Sequence, residues 1–121
     1  MTLAEQIHRS ALRQPVATIA ASLQETIGQR LVAFAVGVRN PKLVGRWARG
    51  EHMPRQAHER ALRELFQVVS LLVESGEATS TVRAWLIGSN PQLEDLAPIE
   101  VFHEGQVERV KRAAEAFIVG G

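Results

Sequence analysis

Apolar residues recur along this chain at intervals of three and four, and no stretch reads as a sheet; the punctuation is that of short helices. A first helix is predicted over about Leu3 to Arg13, with Leu3, Ile7 and Leu12 as its apolar side. Pro15 breaks it and suits the first turn of the next, Val16 to Ile27, where Ile19 and Leu23 share a face. QRLVAFAV at 29–36 makes a third helix, short and mostly buried, and Gly37 supplies a left-handed stop. NPKLVGRWARG follows from residue 40. Asn40 is a good N-cap, Pro41 a good first helical residue, and Gly50 an end.

That fourth segment is two-faced. At about 100° per residue, Lys42, Arg46 and Arg49 fall within about 60° of one another. Leu43, Val44 and Trp47 lie on the other side. A long helix comes next, about Arg55 to Ser75, near 30 Å at roughly 1.5 Å per residue. Its second half, LFQVVSLLV, is apolar almost all round and must be covered twice: once by its own domain, once by a second domain or a second chain. Thr79 or Ser80 is the expected cap of a short helix through Val82, Trp85 and Leu86. Asn90-Pro91 makes a turn, and Pro98 starts a single-turn helix ending near Gly105. The last helix covers about Val107 to Ile118, with Val107, Val110, Ala114 and Phe117 inward and an apolar tail, Ile118 to Gly121, behind it.

The chain is therefore expected to be all-α, with a helix-turn-helix unit over 1–54 joined by the long helix to a second helical unit within 55–121. At 121 residues it is one compact domain or two very small units sharing a core, and an apolar content of 45% is ample for an interior. The absence of cysteine excludes disulfides and thiolate metal sites and fits a reducing cytoplasm. Without a signal peptide or a membrane-length apolar run, a soluble intracellular protein is expected. The net charge of +1 hides an asymmetry: +1 over 1–38, +5 over 39–63 and −5 over 64–121. A basic block followed by an acidic one suggests two surfaces with different partners, although chance clustering on solvated faces produces the same pattern.

Three short helices with a glycine turn before the last, basic one are the pattern of a helix-turn-helix. Ala33 lets the two helices approach, Gly37 makes the bend, and Val44 with Trp47 anchors the second helix. Lys42, Arg46 and Arg49, with Arg39 just ahead of them, are then free to reach DNA phosphates and base edges. The other chemistry-bearing residues form no motif. His8, His52, His58 and His103 have no metal-ligand spacing, no glycine-rich phosphate loop is present, and no serine sits in a nucleophile elbow. Neither catalysis, a metal nor a cofactor is expected.

GRWARGEHMP resembles the R-W-x-x-G-x-x-x-P segment that ends the helix-turn-helix of Xre-type regulators, although the stretch from Gly37 to Trp47 is one residue longer than usual. AWLIGSNPQLEDLAPIEVFHEGQVERV, from Ala84 to Val110, is similar to the antitoxin/toxin-binding domain of the MbcA/ParS/Xre family. Trp85, Leu86, Asn90, Leu93, Pro98 and Gly105 occupy that pattern's places, while Asp95 stands where a glycine is usual, so a different local turn is expected.

The resemblance implies the antitoxin of a type II toxin–antitoxin pair, cytoplasmic, binding its own operator DNA and a RES-domain toxin that consumes NAD. It further implies toxin-binding roles for Trp85 and Asn90, and a C-terminal plug for the toxin's active-site entrance formed by Phe117, Ile118, Val119, Gly120 and Gly121. Acidic groups such as Glu104 and Glu108 would help against a basic partner, and homo-oligomers as well as hetero-oligomers with toxin are expected. Two other readings stay open. One is a homodimeric helix-turn-helix repressor with no toxin, the long helix being its seam. The other is a protein that binds only toxin.

Overall fold

The computed structural model describes residues 1–120, and they are all-helical. In chain order the helices are α1 (Leu3–Arg13), α2 (Val16–Ile27), α3 (Gln29–Val36), α4 (Lys42–Ala48), α5 (Gln56–Glu74), α6 (Thr79–Ile87), a 3-10 turn (Pro91–Leu93), α7 (Pro98–His103) and α8 (Val107–Gly120). Most boundaries fall within a residue or two of those expected, because proline and glycine supply the punctuation.

The first helix starts where Thr2 Oγ1 accepts a hydrogen bond from the Glu5 amide at 3.2 Å. Its inner face is not the expected one. Ile7 and Ala11, four apart, are buried, whereas Leu3 and Leu12 are exposed. Arg63 on α5 holds its far end, donating from Nη1 to the carbonyls of Ala11 at 2.8 Å and Gln14 at 2.7 Å. Those carbonyls lie at a helix end, where the backbone has no partner of its own. Glu59 fixes the guanidinium from the other side at 3.0 Å.

The following three helices close the first unit. Gly37 has φ 96°, the left-handed conformation a side chain would oppose, and its amide returns to Ala33 O at 2.9 Å. Asn40 caps the next helix: its Oδ1 accepts from the Lys42 amide at 3.1 Å, and Pro41 already has helical angles. Ala33 is buried as expected, and Gly45 lies close against side chains of the neighbouring helices. A Cβ there would lie 2.6 Å from Gln29 Nε2, which donates to Gln24 Oε1 at 2.9 Å.

Along α5, Leu62, Leu65, Val68, Val69 and Leu72 are buried within this chain. The double cover that its composition demands comes from α1 on one side and from α2, α3, α6 and α8 elsewhere. The N-terminal helix supplies one of these covers from within the chain. One core runs from Val16 to Ala114, through Trp47, Leu65, Leu86, Phe102 and Val110, so both units share an interior.

Two further expectations change in the C-terminal half. Neither Thr79 nor Ser80 caps α6: it begins at Thr79 after Ala78, with no side-chain cap. The Ile118–Gly121 tail is helical through Gly120, where the alanines before it let the helix run on, and Gly121 lies outside the described residues.

Candidate functional site

Two surfaces carry the residues singled out by the sequence. The first is the outer side of α4. Arg39, Lys42, Arg46 and Arg49 are all exposed there, around a helix pinned by Val44 and Trp47 at 0% and 1% exposure. The basic block is less free than its count suggests. Arg49 is ion-paired with Glu51, Arg60 lies 3.9 Å from Glu64, and Arg63 is turned inward to α1. Among the described residues, Arg39, Lys42 and Arg46 have no carboxylate partner and leave this face positively charged.

Beneath α4, the Trp47 ring packs 5.9 Å from His58 at the start of α5, and its buried Nε1 makes no hydrogen bond. Burial, and secondarily the charge of Arg55, hold His58 below the ordinary histidine pKa of 6.5. The contact joins the basic helix to the long one.

The second surface is formed by the end of α6, the loop after it and the end of α8. Trp85 and Phe117, both half-buried, meet with ring centroids 6.2 Å apart and planes at 50°. They wall a groove of about 390 Å³ that Asn90, Pro91, Ala116 and Gly120 also line. Asn90 is 7% exposed and builds the loop. Its Oδ1 accepts from Gln92 N at 2.9 Å, and its carbonyl from Leu93 N and Asp95 N at 2.9 Å each. Glu94 and Asp95 have φ 57° and 66°, so Asp95 takes the left-handed conformation that glycine adopts without strain. Of the apolar tail, Ile118 packs on the core and Val119 is 87% exposed. On the same half, Glu108 is 3.4 Å from Lys111 and Glu104 is exposed.

This fold has a solved counterpart. One chain in the crystal structure titled the M. tuberculosis MbcT–MbcA toxin–antitoxin complex superposes on this one with a TM-score of 0.75. The match covers 88% of this chain and 96% of that one at 24% identity, a level at which it establishes a shared fold. Comparison with protein-family models and with curated proteins gave no match.

The structure thus gathers Trp85, Asn90, Phe117 and Gly120 around one groove and places the four basic residues on another face. Periodicity gave no sign of a third cluster. Phe34, assigned to a mostly buried helix, is 43% exposed and stacks on His103 of α7, with centroids 4.5 Å apart and an 18° interplanar angle. Residues 69 positions apart carry no local signal of contact. Among the described residues, no three His, Asp or Glu gather as metal ligands would, and no helix is long and apolar enough to cross a membrane.

Proposed function

We propose that this chain is an antitoxin that holds a RES-domain, NAD-consuming toxin inactive by steric contact and binds its own operator DNA through α4. The observation that carries the reading is the fold shared with a chain of a toxin–antitoxin complex, over nearly the whole of both chains. The Ala84–Val110 motif, found independently in the sequence, supports the same reading. The toxin-facing surface is the groove of Trp85, Asn90 and Phe117 with the end of α8, where Phe117, Ile118, Val119, Gly120 and Gly121 supply apolar contact. Steric action suits a surface that offers aromatic and aliphatic contact rather than a nucleophile beside a base.

The DNA-facing surface is Arg39, Lys42, Arg46 and Arg49, of which Arg49 must first be released from Glu51. A toxin-free repressor that dimerises along α5 has less support, since Leu62, Leu65, Val68, Val69 and Leu72 of that helix are buried within one chain. The protein works in the cytoplasm, as a homo-oligomer and as a hetero-oligomer with toxin.

The test is co-expression with the product of the adjacent gene, followed by size-exclusion chromatography and an NAD-consumption assay. A joint peak without NAD turnover is the expected result. Separate elution, with full NAD turnover by the neighbour in the presence of this protein, would reject the antitoxin reading.

A further inference from the structure

The Phe34–His103 stack forms part of the wall of a shallow pocket of about 460 Å³ beside the start of α4. Arg30 and Phe34, one helical turn apart on α3, make one wall, and Arg39 and Pro41 make another. His103 closes it from α7. No carboxylate lines the pocket. Among the described residues neither Arg30 nor Arg39 has an acidic partner, and both are exposed.

His103 Nδ1 lies 2.7 Å from the Phe34 carbonyl, so it donates there and the imidazole is held flat against the phenyl ring. Phe34 consequently keeps an exposed apolar edge in a fixed place, in a pocket that Arg30 and Arg39 also line. An exposed phenyl ring packed on a histidine costs solvation, and core packing does not require it.

We infer that this pocket seats a phosphodiester of duplex DNA, extending the interface beyond α4 onto α3, with His103 of the toxin-binding half holding Phe34 in place. The inference rests on the DNA-binding part of the proposed function. Arg30 and Arg39 bind the phosphate oxygens, since two guanidiniums beside an apolar floor match a phosphate's charge and its planar sets of acceptors. Phe34 covers the C–H face of the adjoining deoxyribose. Its place fits the geometry of the motif, for the segment leading into a recognition helix passes the backbone as the helix enters the groove. Arg39 joins the seat to the α4 face, so the two form one basic track. His103 is a positioning residue: it touches no DNA and orients Phe34.

The assay is fluorescence anisotropy on two short duplexes, one carrying the DNA immediately upstream of this protein's gene and one scrambled, each titrated across a range of salt. Arg30→Ala is expected to weaken binding to both by the same factor and to make the salt slope shallower by about 1. Phe34→Ala is expected to lower affinity with an unchanged slope, because it removes an apolar contact rather than a charge. Arg46→Ala is the internal standard. If Arg46→Ala weakens binding while Arg30→Ala matches wild type, the seat is wrong and the DNA reading stands. A loss on the upstream duplex alone also overturns the seat, since a phosphate contact carries no sequence information. If wild type binds neither duplex at low salt, the DNA reading falls and the seat with it.

Discussion

Asp95 shows how far a single residue's identity can be at odds with its backbone. Its φ of 66° follows the 57° of Glu94, and Asn90 gathers both turns of the loop through its own carbonyl and side chain. Aspartate tolerates the left-handed region better than most residues, and a β-branched side chain tolerates it worst. Asp95→Val is therefore expected to cost about 1–2 kcal/mol, and Asp95→Gly to leave stability within about 0.5 kcal/mol, as relief of strain is offset by the greater freedom of the unfolded chain. Urea denaturation midpoints of the two variants check this. His58 gives the second expectation at this scale. Its folded pKa lies below 6.5, so on acidification the unfolded chain takes up the proton first. The stability it contributes is complete above 6.5 and declines as pH falls from there towards the folded value. His58→Gln should flatten the dependence of the urea midpoint on pH in that window. The motif residues were legible in the sequence. The glycine-like backbone at Asp95 was visible only as a departure from a pattern, since a dihedral is set by the hydrogen bonds around it.

Two helices depend on one residue each. Trp47 fills the space under α4 at 1% exposure, and a seven-residue helix has too few internal hydrogen bonds to stand alone. Trp47→Ala is expected to cost about 3–5 kcal/mol, measured by chemical denaturation, with a matching loss of helical circular dichroism. Trp47→Phe is expected to cost less, because it also removes a buried N–H that has no acceptor. The first helix hangs on Arg63. Removing that side chain strips the partners from the Ala11 and Gln14 carbonyls, at about 1.5–3 kcal/mol for hydrogen bonds to a charged donor. In Arg63→Ala, amide hydrogen exchange should accelerate across residues 3–14 and stay slow in α5. The helices themselves could be read from spacing and punctuation. The inner face of α1 could not, because Leu3 and Leu12 are as apolar as Ile7 and only the direction of α5 decides between them.

Across the whole molecule, one core makes the basic face and the aromatic groove parts of a single body. Removing the end of α8 is then a question of where to cut. Ile118 packs against the core, whereas Val119 is exposed, so deleting residues 119–121 is expected to leave the thermal midpoint nearly unchanged while weakening neutralisation of the toxin. Deletion from Phe117 onward should lower the midpoint too, since the contact with Trp85 is lost. A 119–121 deletion that still protects toxin-expressing cells completely would remove those residues from the interface. The same single core accounts for much of the apolar surplus of α5, which α1 and the helices of the C-terminal half cover within one chain.

By itself the sequence determined which segments are helical, where they end, and which arginines point away from Trp47. These are local matters, decided by side-chain spacing, by proline's missing N–H and by glycine's access to positive φ. Tertiary structure alone decided which helices cover α5, that Gly45 lies against the Gln24 and Gln29 side chains, and that Phe34 meets His103 across 69 residues. Each of those is a choice among equally apolar or equally small candidates, and such ties are broken only by the packing of distant segments in three dimensions.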